Sequence, residues 1–227
     1  MQHYYSEFFI QYCRFISKDL LATFDKRLGR NTKVIYTFYR VFYVINKKNT
    51  DKAKIDDALS ILTSQIDNYL SDGDTSIYSE MLTSLDCMNK NFVKILSYLG
   101  HLMPPLNDFN EAISDFNKLH EKELFKQGMI EFNNALAHLF TGFCTSETNF
   151  EKNISKACTH LHRGSLDYYK TLIKNKESLT HKQKIELIKI RDLEMKSIGL
   201  EVSNNDKDTI LIGYRNLARH LHNISNN

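Results

Sequence analysis

Proline and glycine are scarce in this chain of 227 residues, which contains two prolines and eight glycines. Both residue types interrupt helices, proline because it lacks a backbone N–H and glycine because its backbone is conformationally free. Tryptophan is absent, whereas 14 Phe and 12 Tyr supply rings for packing between helices. The composition therefore predicts a nearly all-helical chain.

The chain also lacks a strong excess of charge of either sign. The chain contains 30 Lys and Arg residues and 27 Asp and Glu residues, which gives a formal net charge of +3. A field this weak does not indicate nucleic-acid binding by the whole molecule. Any RNA-binding surface must therefore be a local one.

Cysteines are few and far apart, and no two have the spacing of metal ligands. We therefore expect reduced and largely buried thiols at Cys13, Cys87, Cys144 and Cys158, with no metal and no cofactor. The sequence has no secretory leader and no window of eighteen apolar residues. These absences predict a cytoplasmic protein without stable membrane insertion.

Apolar residues recur at spacings of three and four along most of the chain, which is typical of amphipathic helices. The pattern predicts an all-α fold, a multi-helix bundle of seven to eight helices. The predicted helices cover residues 4–25, 32–46, 51–70, 76–96, 108–139, 149–174, 180–195 and 210–224.

Both prolines stand together at Pro104-Pro105, and this pair predicts the strongest helix boundary in the chain. We expect two helical halves, 1–103 and 104–227, hinged near these prolines, or one continuous domain. Asp108 and Glu111 then have the spacing of an N-terminal capping pair for a helix of about 35 residues. Gly128 would mark a kink or break in that helix.

Local signals also predict the ends of the last two helices. Thr180 and Gln183 have the spacing of a capping box. The polar run 203–206 is expected to form a solvated turn before the last helix.

The residues best suited to chemistry lie near the end of the chain, where 213–222 contains two arginines and two histidines. RNA cleavage without a metal needs one group to take the 2′-hydroxyl proton, one to protonate the leaving oxygen, and positive charge on the transition state. Histidine suits both proton transfers and arginine suits the charge. Arg215, Asn216 and His220 supply these residue types.

The spelling Arg215-Asn216-x-x-x-His220 resembles the signature of HEPN domains, small all-helical domains common among prokaryotic RNA-cleaving toxins and defence effectors. The resemblance implies a homodimer in which two such helices face each other and form one composite site. It also implies that Arg215 binds the scissile phosphate, that Asn216 holds the polar position after it, and that His220 transfers protons. Positions five apart point about 140° from each other on a helix, which likewise favours a site shared by two subunits or a distorted helix.

Further basic residues near this motif are candidate RNA contacts, namely Arg219, His222, Lys170 and Lys174. Each of them also fits a solvated, basic helix end, which suits the negative end of a helix dipole. Two other functions stay open. The chain could be a non-catalytic scaffold or regulatory subunit of a larger defence complex, or a membrane-perturbing effector that uses the aromatic helices 4–25 or 32–46.

A short motif recurs in which small residues stand shortly before a His-Leu pair. Its histidines are His138, His160 and His220. Small residues let helices approach closely, so these histidines, with His162 and His222, are expected to lie near one another in the C-terminal half. A structural role is favoured, with a catalytic or phosphate-binding role as the first alternative. A metal site is disfavoured, because His160 and His162 lie about 200° apart on a helix.

Overall fold

The computed structural model describes residues 1–24, 32–70, 92–121, 123–144, 150–197 and 204–224. Within these ranges the chain forms eight α-helices and no strand, which confirms the predicted all-α bundle. The helices are α1 Gln2–Phe24, α2 Thr32–Asn46, α3 Lys52–Leu70, α4 Phe92–Leu119, α5 Lys126–Cys144, α6 Phe150–Lys174, α7 His181–Ser197 and α8 Asn204–His222. Among the described residues, no helix has the length and apolar character needed to cross a membrane.

One hydrophobic core joins buried side chains from all eight helices. Helix α6 packs against α5, α4 and α8, while α2 connects α1 and α3 to α5. Edge-to-face aromatic pairs fill the N-terminal part, for example Phe8 with Phe38 at a centroid distance of 5.5 Å. Helix α7 lies at the periphery and buries the side chain of Ile190.

Glycines allow α6 to pack closely against its neighbours. A Cβ at Gly164 would lie 2.5 Å from Cε2 of Phe109, so only glycine fits at this crossing. Gly128 lies inside α5 against the ring of Tyr168. The long predicted helix is broken, as expected, but the break lies between Leu119 and Lys126, before Gly128.

Helix α4 runs through both prolines, so the predicted helix boundary at Pro104-Pro105 is wrong. Pro105 has no N–H for the carbonyl of His101, which lies four residues earlier. That carbonyl instead accepts a hydrogen bond from the Cys158 thiol of α6, with an Sγ–O distance of 3.5 Å. Gly100, four residues before Pro104, is exposed, so water can reach its carbonyl. The hinge and the division into two halves stay predictions.

The local signals had mixed outcomes. The Thr180–Gln183 capping box is confirmed, because each residue's backbone N–H donates to the other's side chain at 2.9 and 3.4 Å. Asp108 and Glu111 lie in the middle of α4 and cap nothing, and residues 204–206 belong to α8 rather than to a turn. Most of the predicted helix 76–96 lies outside the described residues.

Candidate functional site

The inner face of α8 carries Arg215 and Arg219, four residues apart and directed at α4. Arg219 Nε donates to Asp115 Oδ2 at 2.7 Å, and its Nη2 donates to Glu111 Oε1 at 2.6 Å. Arg215 Nη1 donates to Glu111 Oε2 and, at 3.4 Å, to Asp108 Oδ1. These five residues are called the α4–α8 ion network below.

The ion network holds three carboxylates against two guanidiniums, so the charge of both arginines is balanced within the chain. Burial raises the pKa of Glu111, but hydrogen bonds from Arg219 and the charge of Arg215 outweigh it and bring the pKa below its ordinary value. Burial raises the pKa of Asp108 despite the nearby charge of Arg215. A phosphate group would have to compete with these carboxylates for Arg215.

The outer face of α8 carries Asn216 and His220, which are four residues apart and exposed. Arg215 points inward to α4, so the structure does not bring it together with His220 inside one subunit. The three residues of the predicted catalytic motif therefore lie on two faces of one helix.

The predicted RNA contacts are placed differently from one another. His222 Nε2 donates to the backbone carbonyl of Leu172 at 2.9 Å, which ties the end of α8 to α6. Lys170 pairs with Glu194 of α7, and its Nζ lies 5.2 Å from the centroid of the Tyr214 ring. Lys174 is exposed. Their roles in RNA binding stay predictions.

A second group of chemical side chains lies between α5 and α6. The rings of His138 and His160 stack with centroids 5.2 Å apart and an interplanar angle of 20°. His160 Nδ1 lies 2.6 Å from Glu131 Oε2, and His138 Nδ1 lies 3.1 Å from Asn153 Oδ1. These four residues and Arg163 are called the histidine cluster below.

Glu131 is the buried centre of the histidine cluster, with 3% of its surface exposed. Its Oε1 accepts hydrogen bonds from Gln127 Nε2 at 3.3 Å and pairs with Arg163 Nη2 at 3.4 Å. A buried carboxylate is tolerated when it is paired and hydrogen-bonded, and these partners with His160 meet that need. The guanidinium of Arg163 remains largely in solvent, with 59% of its side chain exposed.

The expectation that histidines converge is confirmed for His138 and His160, and the recurring His-Leu phrase was the signal for it. The sequence analysis missed Glu131, because nothing in its local spelling distinguishes it from a solvated helix residue. The same expectation is wrong for His162, which lines a groove with Lys207 and Asp208 instead. Among the described residues, no group of three or more His, Cys, Asp or Glu side chains is arranged to hold a metal ion.

His162 lines an open groove of about 910 Å³ between α4, α6, α7 and α8, which also contains Cys158, Lys207 and Asp208. Burial lowers the pKa of His162, with Asp208 opposing the shift. Burial also raises the pKa of the Cys158 thiol. The groove thus combines a neutral imidazole with a protonated thiol, and an unactivated thiol of this kind is a poor nucleophile.

Comparison with protein-family models, with curated proteins and with solved structures gave no match for this chain.

Proposed function

We propose that this chain is a metal-independent RNA-cleaving effector of a prokaryotic defence or toxin system that acts in the cytoplasm as a homodimer. The observation that carries the proposal is the exposed edge of α8 formed by Asn216 and His220. Arg215 faces away from His220 in its own subunit, so a second α8 is the simplest way to bring an arginine to this histidine. The resemblance to HEPN domains supports the same pairing.

In the composite site, Arg215 of one subunit binds the scissile phosphate and His220 of the other transfers protons. The bond from Arg215 to Asp108, at 3.4 Å, is long, and a phosphate oxygen would replace it first. Glu111 continues to hold the guanidinium, which keeps it oriented. Asn216 offers its amide beside His220, and Lys174 adds an exposed cation for the RNA backbone.

The first experiment measures cleavage of a labelled mixed RNA in EDTA by the purified protein, with Arg215→Ala, His220→Ala and the control His181→Ala. His181 is exposed on α7 and takes no part in the proposed site. Loss of a general acid or base lowers rates by about 10²- to 10⁴-fold, and we expect a loss of that order for His220→Ala. Full activity of His220→Ala would overturn this assignment.

A mixture of the two inactive variants tests the shared site directly. A heterodimer of an Arg215→Ala subunit with a His220→Ala subunit contains one intact arginine–histidine pair, so mixing them restores part of the activity. A mixture as inactive as its components would exclude a site shared by two subunits.

A second candidate function is that of a non-catalytic helical scaffold or regulatory subunit of a larger defence complex. The observation in its favour is the ion network, which uses both arginines of α8 to fasten it to α4. Helix α7 would offer the binding surface, since Ile188 and Met195 are 65% and 64% exposed. In that case the parent does not cleave RNA, His220→Ala changes nothing, and Ile188→Lys abolishes assembly measured by sedimentation velocity.

A further inference from the structure

We infer that His138 and His160 form a proton-transfer pair for phosphodiester cleavage, in a site that lies within one subunit and does not use α8. The inference rests on the proposed function for its substrate class, RNA. It differs in the residues that carry the reaction and in needing no second subunit.

Each of the two histidines of the cluster is hydrogen-bonded through its Nδ1 atom. A carboxylate and an amide oxygen can only accept, so Nδ1–H of His160 donates to Glu131 at 2.6 Å and Nδ1–H of His138 donates to Asn153 at 3.1 Å. These bonds fix the tautomer in which Nε2 carries the lone pair. Both imidazoles are therefore oriented to exchange protons through Nε2.

The two Nε2 atoms are accessible. Within the described part of the chain, neither Nε2 atom has a hydrogen-bond partner. Every fully buried side-chain nitrogen in that part has a partner, so the two Nε2 atoms are not fully buried. The side chain of His160 is 19% exposed, and His138 is half-buried. A substrate can thus approach the outer edge of the stacked rings while their inner edges stay fixed.

The spacing of the rings suits one phosphodiester group. With centroids 5.2 Å apart, one imidazole can reach the 2′-hydroxyl while the other reaches the leaving 5′-oxygen. Arg163 follows His160 by three residues on α6, and its guanidinium pairs with Glu131 at 3.4 Å while its side chain stays mostly in solvent. A guanidinium in this position can bind the non-bridging phosphate oxygens.

The reaction is complete without a further reactant. His138 Nε2 takes the proton of the 2′-hydroxyl, the 2′-oxygen bonds to phosphorus, and the bond from phosphorus to the 5′-oxygen breaks. Protonated His160 gives its Nε2 proton to that 5′-oxygen. The products are a 2′,3′-cyclic phosphate and a 5′-hydroxyl. His160 is assigned as the acid because the buried Glu131 carboxylate stabilises its imidazolium, whereas His138 faces the neutral amide of Asn153, and this makes Glu131 a positioning residue.

The test compares RNA cleavage in EDTA by the full chain with His138→Gln, His160→Gln, Glu131→Gln and the exposed control His181→Gln. If the histidine cluster carries the reaction, rates fall about 10²- to 10⁴-fold in His138→Gln and His160→Gln and stay at the parental level in His220→Ala. Glu131→Gln should lower kcat with little change in KM, because it acts through His160. Parental activity in His138→Gln and His160→Gln would overturn the inference.

The same assay separates this inference from the proposed site on α8. If His220→Ala keeps its activity while the cluster variants lose theirs, RNA cleavage stands and the α8 site falls. The reverse result leaves α8 as the site and overturns the inference.

If the unsubstituted protein cuts no RNA, the proposed function fails. Binding of uridine vanadate then tests whether the histidine cluster is a phosphodiester-binding site. This probe imitates the five-coordinate phosphorus of the transition state, and histidine Cε1–H resonances report its contact. Shifts of His138 and His160 but not His181, lost in Arg163→Gln, would uphold the site. Unmoved resonances would overturn it. Arg163→Gln leaves the buried Glu131 with Gln127 and His160 as partners, so the fold of the variant is checked by circular dichroism before the probe is added.

Discussion

Arg219 joins three helices through one guanidinium. It donates to Glu111 and Asp115 of α4, and Asp115 also accepts a hydrogen bond from the Tyr169 hydroxyl of α6 at 3.3 Å. Asp115 is 1% exposed, so the stability of its charge depends on these partners and on Lys118, whose Nζ lies 3.3 Å from Asp115 Oδ1 and whose side chain is 37% exposed. The residue whose removal should cost most stability is therefore Arg219 rather than Arg215.

We predict that Arg219→Ala lowers the free energy of unfolding by about 3 kcal/mol, because removing one partner leaves a buried carboxylate poorly compensated. Urea denaturation followed by circular dichroism measures the change. Lys196→Ala is the matched control, since Lys196 and Asp192 form a pair with both side chains largely exposed. The control should change stability by less than about 0.5 kcal/mol. Equal effects of the two substitutions would contradict the prediction.

His162 should make stability depend on pH. Burial lowers its pKa below the ordinary 6.5, so the unfolded chain binds a proton at a pH where the folded chain does not. This contribution to stability is full above the ordinary pKa and is lost as the pH falls through the lowered one. We predict that His162→Gln flattens the decline of the unfolding free energy between about pH 7 and pH 5, measured by urea titrations. An unchanged slope would show that another group causes the decline.

The residue types of the candidate sites could be predicted from the sequence, but their partners could not. Arginine and histidine in 213–222 stand out by local density. Glu111 was interpreted as a cap because its partner Arg215 lies 104 residues further along the chain. The local spacing of residues does not indicate ion pairs between residues so far apart in the chain.

Helix packing around α6 depends on Gly164. We predict that Gly164→Ala destabilises the protein by about 2 kcal/mol, because the new methyl group overlaps the Phe109 ring and strains the crossing with α4. Gly100→Ala is the matched control, since a Cβ there meets nothing within 4 Å. In the helix interior this control should stabilise by about 0.5 kcal/mol. Thermal unfolding of both variants decides the matter, and a stabilised Gly164→Ala would contradict the predicted overlap.

Periodicity was sufficient to predict most of the described helices, but not all of their ends. The apolar spacing of 32–46 and the capping box at Thr180 are local features, and both predictions agree with the structure. Pro104-Pro105 was interpreted as a stop because proline usually ends a helix. Its effect here depends on Cys158, more than fifty residues away, whose thiol bonds to the carbonyl that Pro105 leaves unpaired.

The common core sets an expectation for the whole chain. Buried side chains of all eight described helices belong to one cluster, including those before and after residue 104. We predict one cooperative unfolding transition, so that helix content followed in the far ultraviolet and tyrosine packing followed in the near ultraviolet are lost together. Two separated transitions would support the alternative of two independent halves, 1–103 and 104–227.

The thiol of Cys158, on α6, acts as a built-in spectroscopic label for the middle of α4. Its S–H bond points at the His101 carbonyl, at the place in the helix where the prolines remove the amide hydrogens that normally report on backbone order. Amide exchange is therefore silent at positions 104 and 105. The S–H stretching band of Cys158 in the infrared would report on backbone order there instead. The band would shift when the His101 carbonyl moves away from the thiol. Because the same thiol lines the groove beside His162, a molecule entering that groove would alter the band without any added dye.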